Sequence, residues 1–181
     1  MGILDLLFPK RCVSCGKLGN YVCFKCFQKI EFISFQICPY CGRSAIDGKT
    51  HPRCKRSWGL DGLYFNTRYK GPVKDAVHKL KYRLVTDLAR FWIDILYQEK
   101  PKALPNFDYL VPVPLHPKRE RERGFNQSEI IAKILGKKWT IPVSRNIIKR
   151  IRHTRPQVEL ERKERKTNLL EIGRASCRER V

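Results

Sequence analysis

Hydrophobic positions along this 181-residue chain change their period several times, and each change predicts an element. "FKCFQKIEFI" (Phe24 to Ile33) has helical spacing, and "GLYFNTRY" (Gly62 to Tyr69) reads as a strand running into a turn at Gly71 and Pro72. "VKDAVHKLKYR" follows as a helix with Val73, Val77 and Leu80 on one face and His78 beside it, solvated. Thr86 is expected to cap a further helix, whose Leu88, Phe91, Trp92, Ile95 and Leu96 recur at helical intervals. "KPKALPNFD" is a loop, "YLVPVP" a short apolar strand and "IPVSRNII" another. Between those strands a helix beginning near Asn126 turns Ile130, Ile131, Ile134 and Leu135 inward. The order strand, two helices, strand, helix, strand predicts an α/β layer built on a parallel sheet.

No stretch of eighteen or more apolar residues occurs, so no membrane span is expected. "MGILDLLFPK" lacks the basic head and small-residue cleavage site of a signal peptide, and Leu6 stands where a myristoylation signal wants Ser or Thr. Cytoplasmic residence is the expectation.

Cysteine spacing adds a second module. Seven of the eight cysteines fall in the first 54 residues, as Cys12 and Cys15, Cys23 and Cys26, Cys38 and Cys41, and a lone Cys54 that His51 precedes at the same interval. A two-residue gap lets both side chains of a tight turn converge on one ion, and zinc accepts thiolate and imidazole alike. Gly16 and Gly42 each follow a second cysteine, where a sharp turn favours positive φ. Eight ligands make two tetrahedral sites. The sequential grouping is Cys12, Cys15, Cys23 and Cys26, then Cys38, Cys41, His51 and Cys54; an interleaved grouping and a disulfide framework are the alternatives. Four protein ligands leave no open position, so such zinc is structural, and in so small a module it supplies folding energy.

The formal charge is +21, from 38 basic and 17 acidic residues. It is concentrated: residues 116–168 alone carry 16 basic and 6 acidic side chains. A field of this kind suits polyanions, whether nucleic acid, phosphorylated metabolites or acidic membranes. Its densest part is "VPVPLHPKRERERGFNQ" (Val111 to Gln127), read as strand, loop and helix start. Ligands of open α/β sheets bind where such loops leave strand ends, and helix amino termini attract phosphate. Lys118, Arg119, Arg121 and Arg123 supply charge there, Gly124 would let backbone approach an anion, and Asn126 and Gln127 could orient hydroxyls or the loop. Tyr64, Phe65, Tyr69 and Tyr82 are candidates for stacking on bases, although core packing accounts for them as well.

That stretch, together with "RHTRPQVELERKERKTN", the cysteine-paired amino terminus and "LKY" at Leu80 to Tyr82, resembles the ComF competence-protein family, over "LLFPKRC" to about Leu170. The resemblance implies a double zinc ribbon over residues 1–57 and, over 58–170, the first part of a type I phosphoribosyltransferase-like domain with flanking helices. It also implies a role in uptake of single-stranded DNA, with possible partners in the uptake machinery at the inner face of the membrane. By the same likeness, the basic stretch would be a pyrophosphate-binding loop. Arg152, Thr154, Gln157, Arg162, Arg165 and Asn168 would lie in or beside a flexible loop closing over the sugar phosphate, and Lys81 would join the phosphate contacts. Phosphoribosyl pyrophosphate with magnesium is the implied ligand. Lys and Arg would stabilise charge growing on its leaving group. No residue is an obvious nucleophile or general base, and no acceptor is identified.

The family's acidic pair followed by Thr-Thr-Gly is absent. In its place stands "EIGRASCRERV" (Glu171 to Val181), which back-translates to a common sequencing adapter. Residues 171–181 are therefore expected to be foreign, Cys177 to have no role, and this polypeptide to be an unstable, inactive fragment with an unpaired sheet edge. For the intact parent three readings stand: a DNA-uptake protein with a transferase-like phosphate site, an active phosphoribosyltransferase of nucleotide metabolism, and a non-catalytic zinc-ribbon protein that binds nucleic acid.

Overall fold

The structure, a computed structural model, describes residues 9–82, 86–98, 107–154, 160, 161, 164, 174 and 175. They fall into two compact units, the first drawn from Met1–Leu80 and Asp94–Pro105, the second from Lys81–Ile93 and Asn106–Val181.

In the first unit, short-range turns dominate because the cysteines leave little room for longer elements. Helix α1 (Phe24–Phe27) is a single turn, not the longer helix the spacing of Phe24 to Ile33 predicts. Its continuation leaves the helix so that Phe32 can bridge Thr67 and Ile33 N–H can donate to the Asn66 carbonyl at 2.8 Å. Strands β1 (Gln36–Ile37) and β2 (Ser44–Ala45) pair antiparallel, and 3-10 turns follow at Ile46–Gly48 and Pro52–Cys54.

The predicted strand Gly62 to Tyr69 does not form as a strand. Its hydrogen bonds go instead to two separate segments: Gly62 bridges Lys49, and Leu63 N–H donates to the Gly48 carbonyl. Farther along, the Gln36 amide brackets Phe65 from both sides and Arg68 N–H reaches the Glu31 carbonyl. With its partners split, no continuous ladder can build. The Cβ of any residue replacing Gly48 would strike the Leu63 carbonyl, so this close approach requires glycine.

Helix α2 (Gly71–Tyr82) begins where a turn is predicted, because Pro72 fits the first turn of a helix without needing its missing N–H. Val73, Ala76 and Leu80 are buried, while Val77 is half-buried. Helix α3 (Thr86–Gln98) takes Thr86 as its first residue. Leu88, Ala89 and Ile93 are fully buried, and the half-buried Phe91 and Trp92 meet edge-on at 5.7 Å.

The second unit holds helices α4 (Pro117–Arg123) and α5 (Gln127–Trp139). The predicted strands on either side of them reduce to one parallel bridge, Leu110 to Val143, with N–H···O bonds of 2.9 and 3.0 Å. The expected parallel sheet is thus a single rung among the described residues. Proline explains the shortfall: Pro112, Pro114 and Pro142 have no N–H to give a ladder. On α5 the fully buried positions are Glu129, Ala132 and Gly136, with the four predicted isoleucine and leucine positions half-buried. A Cβ on Gly136 would lie 2.7 Å from both the Ile141 carbonyl oxygen and Val143 Cγ2, so small residues let the 141–143 segment lie against the helix. Strand β3 (Ile148–Lys149) pairs antiparallel with β4 (Arg174–Ala175). That partner lies in the stretch expected to be foreign, and backbone pairing at an open edge needs no particular side chains. Among the described residues no helix is long and apolar enough to cross a membrane.

Candidate functional site

The same local device occurs twice in the first unit. Cys12 N–H donates to the Lys17 carbonyl and Gly16 N–H to the Cys12 carbonyl; Cys38 with Arg43 and Gly42 with Cys38 repeat both bonds. Gly16 and Gly42 turn the chain at φ 78° and 69°. Each knuckle is then met by a pair on a short helical turn, Cys23 and Cys26 on one side, His51 and Cys54 on the other. The ligand atoms of Cys12, Cys15, Cys23 and Cys26 lie within 4.8 Å of one another, as do those of Cys38, Cys41, His51 and Cys54. The sequential grouping is therefore the one adopted.

The donor chemistry fits zinc. Burial pushes the Cys12 thiol up, but the backbone amides of Cys15, Cys23 and Ser14 outweigh it and bring it down to about 6. Cys38 is held at about 6 in the same way, burial opposing amides of Cys41, His51 and Tyr40. These amides favour the thiolate that a metal needs. Burial lifts Cys26 to about 12, and its neighbouring thiols add to the rise, so a bound cation would favour ionisation of all four sulfurs together. His51 Nε2 lies 3.0 Å from the Ser44 carbonyl while Nδ1 faces Cys41 Sγ at 3.3 Å. A backbone acceptor on one nitrogen leaves the other for the ion.

In the second unit, the basic stretch is a helix and not the expected loop. His116 caps α4 by accepting the Lys118 N–H on Nδ1, Pro117 occupies the first turn, and Gly124 at φ 77° ends the helix by donating to the Glu120 carbonyl. Gly124 serves the turn here, and open space surrounds it. Asn126, buried, accepts the Ser128 N–H at the start of α5 and donates to the Val113 carbonyl, which fixes the loop between the two helices.

Arg119 Nη2 donates to the Thr154 carbonyl at 2.8 Å, and Arg150 Nη2 to the Thr154 hydroxyl at 2.5 Å. His116 and His153 meet edge-on at 5.0 Å. Burial lowers the Arg150 guanidinium, and Arg119 and Arg123 lower it further. Burial likewise lowers His116, followed by His153, Arg150, Arg121 and Arg119. Like charges have thus been gathered from α4 and from residues 150–154, and Arg150 Nε is buried with no hydrogen-bond partner. Such a group is under repulsion that an anion would relieve.

A cavity of about 410 Å³ adjoins it, lined by His116, Asn126 and Arg150 and also by Glu120, Glu129 and Arg145. Arg145 bridges Glu129 at 2.9 Å and Glu120 at 3.5 Å, and Lys133 holds Glu129 at 2.6 Å. The acidic wall is therefore internally neutralised.

Of the predicted residues, Arg119, Arg121, Arg123 and Thr154 come together here. Lys118 is exposed beside them on α4, Arg152 is exposed next to His153, and Gln127 presents a buried side-chain oxygen without a partner. Lys81 is half-buried on α2, and no described contact brings it to this group. Gln157, Arg162, Arg165 and Asn168 lie outside the described residues. Sequence reasoning missed His116, Arg145, Arg150 and His153. The run "KRIRHT" carries a basic signal that could have flagged Arg150 and His153. Of the stacking candidates, Tyr69 is exposed, Tyr64 and Phe65 are half-buried, and the Tyr82 side chain is outside the described set.

A family model described as a double zinc ribbon domain matches residues 3–56. The chain is 30% identical to competence protein F of Haemophilus influenzae over 178 residues, covering 90% of itself and 75% of that protein. The chain belongs to the ComF competence-protein family. To competence protein ComFC of Bacillus subtilis this ComF-family chain is 29% identical, covering 71% of itself and 57% of that relative. It is 28% identical to the DNA utilization protein YhgH of Escherichia coli K12, covering 91% of itself and 77% of that chain. It therefore spans between 57% and 77% of these ComF-family relatives. No solved structure matches it.

Proposed function

We propose that this ComF-family protein acts in the cytoplasm in DNA uptake, holding phosphate groups of single-stranded DNA or of phosphoribosyl pyrophosphate on the cations of α4 and residues 150–154. The observation that carries this reading is the convergence of Arg119, Arg123, Arg150, His116 and His153 around Thr154, with a buried Arg150 Nε left unpartnered. Arginine presents forked donors that match a phosphate edge, and an arriving anion would favour the charged form of His116. The names of the relatives, competence protein and DNA utilization protein, support the DNA role. In this reading residues 1–57 form the double zinc ribbon and 58–170 belong to a phosphoribosyltransferase-like domain, of which the Leu110–Val143 rung and the helices between are a part. Arg152, Gln157, Arg162, Arg165 and Asn168 would close over the ligand, with Lys118, Gly124 and Gln127 beside it.

Magnesium has no site of its own among the described residues of the cleft, since Arg145 and Lys133 already engage Glu120 and Glu129. The ion would enter bound to the pyrophosphate, whose charge it partly neutralises. Arg119 and Arg150 would then bear the remaining charge, the role a transferase needs on its leaving group.

Titration of the protein with labelled oligo-dT across a salt series, and separately with magnesium phosphoribosyl pyrophosphate, tests the proposal. Single-strand affinity falling steeply with salt, and weakened with a shallower salt slope in an Arg119→Gln, Arg150→Gln double variant, is the expected result. Saturable pyrophosphate-ester binding alone would favour the metabolic transferase. Binding of neither ligand would sink the assignment.

A further inference from the structure

The second zinc knuckle carries a side chain that neither the metal nor the core uses. Trp58 is 88% exposed, and its backbone sits at φ 63°, a left-handed conformation that a bulky residue rarely adopts. The cause is a tight turn in which Gly59 N–H donates to the Arg56 carbonyl at 3.1 Å, placing Trp58 at the third position, where glycine or asparagine is usual. Strain of this kind persists only where surrounding structure enforces it, and it concentrates at functional positions.

The enforcement is visible on both sides. His51 and Cys54, ligands of the second metal group, precede the turn. Thr50, buried, closes the loop by donating its hydroxyl to the Leu60 carbonyl at 2.5 Å and its N–H to the Asp61 carbonyl at 2.7 Å. Tyr40 accepts the Leu60 N–H at 2.6 Å on its hydroxyl, while the Arg56 guanidinium lies 5.0 Å over its ring. A Cβ on Gly59 would run into that hydroxyl. The indole is thus held outward on a pinned loop and not left on a loose one.

Its surroundings select the partner. From Asp47 to Asp61 the chain carries Lys49, Arg53, Lys55 and Arg56, all exposed, against the two carboxylates at its ends. A hydrophobic protein-docking loop would flank such a tryptophan mainly with apolar side chains; along this loop exposed cations outnumber the exposed Leu60. Flat aromatic faces among cations match single-stranded nucleic acid, which offers a base to stack and a phosphate to pair at each step.

We propose that Trp58 is a base-stacking platform for single-stranded DNA on the second zinc knuckle, with Arg53, Lys55 and Arg56 holding the flanking phosphates. This rests on the DNA reading above but assigns a contact separate from the cationic group of α4. The test is anisotropy of labelled oligo-dT with the full chain and its Trp58→Ala and Trp58→Phe variants, with zinc content measured for each. Trp58→Ala should weaken binding by roughly 5- to 150-fold, the loss of one stacked base, with an unchanged slope of affinity against salt. Trp58→Phe, which keeps an aromatic face, should stay within a few-fold of wild type. The Arg119→Gln, Arg150→Gln variant should instead flatten the salt slope. If Trp58→Ala binds as wild type does, the platform is refuted and the indole is left to a protein partner. Equal losses in both Trp58 variants accompanied by lost zinc would make the residue structural and also refute it. If wild type binds no oligo-dT, this proposal and the DNA reading fall together; if only the α4 variant loses affinity, this one alone falls.

Discussion

Replacing Arg150 by methionine separates a ligand-binding cation from a structural one. Without ligand, the change removes the bond to the Thr154 hydroxyl but also the repulsion from Arg119 and Arg123. A hydrogen bond of this type contributes about 1 kcal/mol, and relief of two half-solvated like-charge contacts returns a similar amount, so ligand-free stability should move by less than about 1 kcal/mol. Ligand-bound stability should respond differently. Pyrophosphate at a hundred times its dissociation constant stabilises wild type by about 2.7 kcal/mol. Losing one charge-assisted hydrogen bond weakens binding by about 10- to 100-fold, leaving about 0.4 to 1.4 kcal/mol of that at the same concentration. For a chain of this size the melting shift should fall from about 5–11 °C to about 1–6 °C. Thermal melts with and without pyrophosphate, at constant zinc and ionic strength, measure it. A variant that loses more than 2 kcal/mol without ligand and keeps the full pyrophosphate shift would show Arg150 to be structural, and the argument from convergent cations would fail.

Four other outcomes follow from the geometry. His116 has its pKa lowered on folding, so its contribution to stability is complete above the unfolded value near 6.5 and is lost as pH falls through the folded value; without ligand the melting temperature should drop as pH goes below about 6.5, while pyrophosphate affinity rises as His116 becomes charged. Zinc analysis should find two ions per chain, and Cys38→Ser should abolish one and unfold the second knuckle to proteases. Gly136→Ala, whose new methyl meets Ile141 and Val143 at 2.7 Å, should destabilise by about 1–3 kcal/mol in denaturant melts. Trp58→Gly should stabilise the first unit relative to Trp58→Ala by about 1 kcal/mol, because glycine accepts positive φ, while binding oligo-dT no better than the alanine variant.

The metal groups were legible because ligand spacing is local: Cys-x-x-Cys followed by glycine dictates a knuckle whatever lies around it. Helix α3 with Leu88, and the start of α5 at Asn126, were legible for the same reason, periodicity and capping both being short-range; the fully buried Ile93 was not among the positions that period named, and the side chains of Ile95 and Leu96 lie outside the described residues. What failed depended on distant partners. Gly62 to Tyr69 has the composition of a strand, but its hydrogen bonds are divided between residues 31–36 and 48–50, which no local pattern reveals. Helix α4 was hidden because Lys118 to Arg123 has no apolar period, and its cap is a histidine, outside the usual set of Ser, Thr, Asp and Asn. Arg150 and His153 join α4 only through folding, so the basic run foretold the charge but not its convergence on Thr154.

The segment from Leu60 to Arg68 touches both halves of the zinc module. One end is bonded to the backbone just after α1, the other to the loop that presents His51 and Cys54. The two metals are therefore not independent reservoirs. Stripping either ion frees one end of this shared segment and weakens the hold on the other, so in a chelator titration loss of the first ion should ease loss of the second. Zinc scarcity would then act on this protein more steeply than on two separate sites, since each empty knuckle loosens its neighbour.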